Sequence, residues 1–122
     1  MVRNWEIIRE ILLRLESEST PNCFVNANSF TNFSEQEVAY NMRLLHDDNY
    51  IDAKILNSSS GDGKINVALA TRLTAAGHDL LDTIRNDTVW AKIKEKFANN
   101  GLEMTFDLVI TVGKKIIESI LS

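Results

Sequence analysis

A capped helix that leads directly into a β-hairpin constrains the fold of this chain more than any other feature of its sequence. Ser34 and Glu37 form an S-x-x-E capping box, in which each side chain satisfies a free backbone amide of the first helical turn. Apolar residues then recur at helical spacing as far as about residue 48. Residues 51–56 and 65–69 are short β-prone runs on either side of the turn-rich sequence NSSSGDG, so they predict a hairpin.

Four other segments carry apolar residues at the spacing of an amphipathic helix. They cover about residues 3–18, 74–86, 88–99 and 105–121. The stretch 19–33 has apolar residues without a clear period, and we expect a packed loop there with room for a short strand or one helical turn. No repeat, low-complexity tract or long linker divides the 122 residues, which fit one domain.

This order of elements predicts a mainly α fold with a small β-hairpin. The capped helix and the hairpin form the core of a winged helix-turn-helix. The hairpin is the wing, and the helix before it contacts the bases when such a protein binds DNA. We therefore expect a single winged-helix domain over residues 1–122, with a core that ends near residue 70 and a C-terminal helical extension over about 72–121.

Two segments carry a resemblance to known proteins: EVAYNMRLLHDDNYIDA at 37–53 and RLTAAGHDLLDTIRNDTVWAKIKEK at 72–96. Together they are similar to an uncharacterised family of small winged-helix proteins from bacteria, phages and prophages, known only as a domain of unknown function. The resemblance covers most of residues 3–97. It implies a winged-helix fold and a bacterial or phage setting, and it implies no activity. Asn41 stands where a histidine is common in such proteins.

Charge and cysteine content bear on the compartment. The first 18 residues carry seven charged side chains, which the apolar region of a signal peptide would not tolerate. No apolar run approaches the roughly 18 residues that span a bilayer. The one cysteine, Cys23, excludes an intrachain disulfide and suits a reducing compartment. We therefore expect a cytoplasmic protein that does not bind a membrane.

The sequence offers no catalytic constellation. His46 and His78 lie 32 residues apart, and neither has an acidic or cysteine partner at the spacing of metal ligands. Cys23 has no local sequence typical of a nucleophile, and we expect a structural thiol. NSSSGDG lacks the lysine and the spacing of a phosphate-binding loop. We expect a protein that is not an enzyme and that has no metal or cofactor.

The winged-helix topology suggests a regulatory or accessory protein that binds DNA. In this hypothesis Gln36, Asn41 and Arg43 face the major groove. Lys54 and Lys64 then hold the wing against the phosphate backbone.

The charges oppose DNA binding. The chain has a net charge of -4, whereas much of the affinity of proteins for DNA comes from contacts between cations and phosphates. Residues 34–48 hold four carboxylates and one arginine. The alternative hypothesis is a protein-interaction module in which the winged helix is a scaffold. Its acidic helix would then contact a basic partner protein, or it would mimic nucleic acid and bind a DNA-binding protein.

The last predicted helix carries a wide apolar stripe that includes Phe106, Ile110, Gly113 and Ile117. Glycine inside a helix costs roughly 1 kcal/mol relative to alanine, so a glycine on the apolar face predicts the close approach of another helix. That helix belongs either to the same chain or to a second copy. In the second case these four residues lie at a homodimer interface near a twofold axis.

Overall fold

The computed structural model describes residues 1–18 and 24–122. These residues are mainly helical, with a small three-stranded antiparallel sheet. In chain order the elements are α1 (Trp5–Ser17), β1 (Val25–Asn26), a 3₁₀ turn (Ala27–Ser29), α2 (Glu35–Asp47), β2 (Ile51–Asn57), β3 (Ile65–Leu73), α3 (Ala75–Ile84), α4 (Asp87–Asn100) and α5 (Phe106–Leu121). Within the described ranges, no helix combines the length and the apolar character needed to cross a membrane.

Contacts divide the chain into two compact units, Met1–His78 and Asp79–Ser122. The boundary falls inside α3. Thr74 and Gly77, at the start of α3, both contact the backbone of Tyr50 in the first unit. The single domain with a core that ends near residue 70 stays a prediction.

β3 is the central strand of the sheet, with β1 on one side and β2 on the other. The β2–β3 ladder begins with the pair Ile51 and Leu73 and ends with the pair Asn57 and Ile65, so the predicted hairpin is confirmed. β3 is longer than predicted. β1 and the 3₁₀ turn both lie in the stretch 19–33, where we expected a packed loop with room for a short strand or one helical turn.

Side-chain caps fix where the helices begin. The side chain of Asn4 accepts hydrogen bonds from the backbone N–H groups of Glu6 and Ile7, at 3.0 and 3.3 Å, and so starts α1. The same kind of interaction begins the other four helices, with the capping residues Ser34, Thr74, Asn86 and Thr105. The sequence predicted the cap at Ser34.

Each unit has its own buried apolar residues. In the first unit, α2 packs against α1 and against the two strands of the hairpin. The largest fully buried side chains there are Ile7, Ile8, Ile11, Leu12, Val38, Met42, Leu45 and Ile51. In the second unit, α4 packs against α5, and Trp90, Ile93 and Val109 are buried. The helical periodicity of the sequence predicted all of these residues except Ile51 as apolar positions of helices.

A corner at Asn49 and Tyr50 joins α2, β2 and α3. Asn49 has a φ of 63°, the left-handed conformation that asparagine tolerates, and it ends α2. The backbone N–H of Tyr50 then donates to the carbonyl of Leu45 at 2.8 Å. Thr74 returns to this corner, where its hydroxyl donates to the carbonyl of Asn49 at 2.6 Å and its N–H donates to that of Tyr50 at 3.1 Å. A Cβ atom at Gly77 would overlap the carbonyl oxygen of Tyr50.

We predict that Gly77→Ala destabilises the fold. Alanine favours a helix over glycine by about 1 kcal/mol. The added methyl group must nevertheless displace backbone at Tyr50, and such overpacking costs about 1–3 kcal/mol. Urea unfolding followed by circular dichroism measures the change.

Ala76→Gly is the matched control, because residue 76 is exposed on the same helical turn. It should lower the free energy of unfolding by about 1 kcal/mol through helix propensity alone. If Gly77→Ala instead raises stability by that amount, the close approach to Tyr50 carries no energetic weight.

Candidate functional site

The exposed side of α2 lies next to the hairpin. Tyr40, Arg43, Leu44 and Asp47 lie on the side of α2 opposite its buried residues, with Arg43 and Asp47 exposed and the other two half-buried. These four residues and the hairpin tip, residues 58–64, are called the α2–hairpin surface below. It is the place where the sequence predicted contacts with DNA.

Asn41 is not part of this surface. It is only 1% exposed. Its side-chain oxygen accepts the backbone N–H of Asn4, and its side-chain nitrogen donates to the backbone carbonyl of Glu37, both at 2.8 Å. The predicted contact with a base is therefore replaced by a structural role, in which Asn41 ties the beginning of α1 to α2.

Gln36 is also engaged within the chain. Its amide nitrogen donates to the carbonyl oxygen of Ile65 at 2.8 Å, and its amide oxygen accepts the N–H of Ile65 at 3.1 Å. In an antiparallel strand the N–H and the carbonyl of one residue point to the same side. Gln36 therefore holds the first residue of β3 in the way that a neighbouring strand would, and its amide is not free to bind a base.

The three predicted cations, Arg43, Lys54 and Lys64, are exposed. At the hairpin tip the backbone N–H of Lys64 donates to the carboxylate of Asp62 at 2.9 Å. This hydrogen bond, with one from the hydroxyl of Ser60, lowers the pKa of Asp62. An ionised carboxylate therefore stands beside Lys64 and offsets its charge.

The beginning of α2 is acidic. Ser34 accepts the N–H of Glu37 at 3.2 Å and donates its hydroxyl to the carboxylate of Glu37 at 3.1 Å. The carboxylate of Glu37 thus binds the hydroxyl group of Ser34, whereas the capping box predicted that it binds a backbone amide. Glu35 and Glu37 both lie in the first turn, where the positive end of the helix dipole stabilises carboxylates. An anion such as phosphate would meet two negative charges at this helix end.

The second polar end of the hairpin is neutral as well. Arg72 and Asp52, which are paired across β2 and β3, form an ion pair at 2.6 Å. Two of the three cations of the hairpin, Lys64 and Arg72, therefore stand beside carboxylates.

The two histidines lie on different helices, α2 and α3. His46 lies with its Nδ1 atom 3.4 Å from the carbonyl oxygen of Ile51, and His78 is exposed. In the part of the chain that the structure describes, no three His, Cys, Asp or Glu side chains are grouped so that they could hold a metal ion. The predicted structural thiol, Cys23, lies outside the described residues.

The residues predicted for a homodimer interface are placed mainly inside the second unit. Gly113 is buried, and a Cβ atom there would overlap the side chain of Thr83 and approach that of Ile93 to 3.1 Å. Phe106 is 4% exposed, and Ile110 and Ile117 are half-buried. The close approach that the glycine predicted therefore occurs within one chain, and it does not require a second copy.

Comparison with known proteins identifies the family of this chain. Residues 2–103 match the family described as "Hypothetical protein (DUF2513)". The chain belongs to this family. An uncharacterised protein of Haemophilus influenzae is 38% identical over 122 residues, which are the whole of both chains. No solved structure matches the chain. The predicted resemblance to an uncharacterised family is confirmed.

We predict that Asn41→Ala destabilises this DUF2513 protein. The substitution removes two part-buried hydrogen bonds, from the N–H of Asn4 and to the carbonyl of Glu37, which costs about 1–3 kcal/mol. Arg43→Ala on the same helix is the control and should change stability by no more than about 0.5 kcal/mol, because its side chain is exposed. Equal effects of the two substitutions in urea unfolding would contradict the structural role of Asn41.

Proposed function

We propose that the chain is a non-enzymatic winged-helix accessory protein that binds a partner protein through the α2–hairpin surface. The winged-helix assignment is supported by the order of the elements. α2 leads directly into the β2–β3 hairpin, and a strand that precedes α2 pairs with β3 to give the sheet order β1-β3-β2. A cytoplasmic, bacterial or phage setting belongs to the same proposal, and the Haemophilus relative supports the bacterial one.

One observation carries the choice of a protein partner. An aromatic, a cationic and an aliphatic side chain stand together on the exposed side of α2: Tyr40, Arg43 and Leu44. Tyrosine and arginine are enriched at the energetically important centres of protein interfaces. Glu37 and Asp47 flank them and are exposed, so the surroundings favour a partner with basic groups near its contact surface.

DNA binding is the second candidate. It is supported by the winged-helix order of elements and by the exposure of Arg43, Lys54 and Lys64. It is opposed by the engagement of the Gln36 and Asn41 amides and by the acidic first turn of α2. Because phosphate contacts supply much of the affinity for DNA, we favour the protein partner.

A salt titration separates the two candidates. A labelled duplex of mixed sequence is mixed with the full chain at about 50 mM and about 200 mM salt, and binding is followed by fluorescence anisotropy. We expect no complex with the duplex at either salt concentration, for the natural chain or for Lys64→Glu. Tight binding that weakens steeply with salt and is lost in Arg43→Glu and Lys64→Glu would overturn the proposal in favour of DNA.

Photo-crosslinking tests the protein partner directly. A photoreactive amino acid replaces Tyr40 in cells that express the full chain, and the control places it at Ser17, which is exposed at the end of α1. We expect a discrete cross-linked protein from position 40 alone, and its loss when Arg43→Glu is added. Identical cross-linking from both positions, or insensitivity to Arg43→Glu, would show that this surface does not recognise a partner.

A further inference from the structure

α4 and α5 of the second unit border an open groove with a volume of about 630 Å³. Val112, Ile116 and Ile120 line it from α5. They are spaced four residues apart, so they follow one side of the helix over about 12 Å. Ile116 is 8% exposed and Ile120 is 53% exposed, so the apolar floor becomes more open toward the end of the chain.

Lysine side chains form both rims of this α4–α5 groove. Lys92 and Lys96 stand one helical turn apart on α4, and Lys115 faces the groove from α5. All three are exposed, and none of them forms an ion pair with a residue that the structure describes. Glu95 is the one carboxylate among the lining residues. The groove therefore carries a net charge of +2 in a chain whose net charge is -4.

We propose that the α4–α5 groove binds an acidic amphipathic helix of a partner protein. A helix laid between α4 and α5 would place its apolar side on Val112, Ile116 and Ile120. Acidic residues on its two flanks would meet the lysine rims, and the long lysine stems would cover further apolar surface. The bound helix would complete a three-helix packing with α4 and α5.

The lining favours a helix over nucleic acid. Binding of single strands relies on exposed aromatic side chains and arginine, which stack on the bases. The residues that line the groove include neither, and their apolar groups form a continuous row. This site is also separate from the α2–hairpin surface, because all of its lining residues belong to the second unit. The proposal therefore does not rest on the function proposed above.

A designed peptide serves as the probe. It is a fluorescein-labelled amphipathic helix of 18 residues with leucine along one side and glutamate on both flanks, and the control peptide has lysine in place of every glutamate. The full chain should bind the acidic peptide and increase its helicity, measured by anisotropy and circular dichroism. We expect the lysine peptide to bind at least about tenfold more weakly.

Paired substitutions test the location of the site. Lys115→Glu should weaken binding of the acidic peptide by about tenfold, whereas Lys114→Glu makes the same charge change outside the groove and should have less than about a threefold effect. Ile120→Ser should also weaken binding, and Leu121→Ser should not, because Leu121 is 80% exposed and does not line the groove. Thermal unfolding of each variant checks that the second unit remains folded.

Three results would overturn the proposal. The first is absence of binding to the acidic peptide at low salt. The second is an equal loss of binding in Lys115→Glu and Lys114→Glu, which would indicate attraction by general charge. The third is full displacement of the peptide by an equal concentration of a short single-stranded oligonucleotide, which would assign the groove to nucleic acid. None of these results bears on Tyr40 or Arg43, so the two proposals fail independently.

Discussion

The first unit depends on one short piece of backbone, at Asn49 and Tyr50. There the chain leaves α2 through a left-handed residue and enters β2 at once. The same two carbonyl groups later accept the hydrogen bonds of Thr74, which caps α3. Gly77 lies so close to the carbonyl of Tyr50 that residue 77 has no space for a side chain. The end of one helix, the start of a strand and the start of another helix therefore share a single position in space.

Both amide side chains of α2 form hydrogen bonds within the chain. Asn41 joins it to the start of α1, and Gln36 joins it to the start of β3. Asparagine and glutamine are the residues that a DNA-reading helix would direct at adenine. On its outer side α2 carries a half-buried aromatic residue, an exposed arginine and exposed carboxylates. The order of the elements is the one on which we based the winged-helix proposal, and a winged helix suits nucleic acid as a partner. The composition of the outer side of α2 favours a protein.

Local patterns predicted most of the fold. Helical periodicity placed all five α-helices, and the alternation of residues 65–69 placed the hairpin. β1 was harder to predict, because two residues have no period and pair with Leu69 and Ala70 far along the chain. The roles of Gln36 and Asn41 could not be predicted from the neighbouring sequence either. A polar residue on a helix looks the same in sequence whether its partner is a ligand or a distant backbone group, and here the partners are Ile65 and Asn4.

The two hydrogen bonds between the Gln36 amide and the backbone of Ile65 lie where the hairpin tip joins the rest of the sheet. A shift of one residue in the ladder would exchange the two faces of the strand. These hydrogen bonds oppose such a shift because they hold the first residue of β3 in place. At the base of the tip, the N–H of Ser58 donates to the carbonyl of Lys64 at 2.8 Å and closes the loop. The intervening residues, 59–63, are exposed. An epitope or a fluorescent label inserted there would leave the alignment of the strands intact. Because this loop belongs to the α2–hairpin surface, the label would report on binding at that surface.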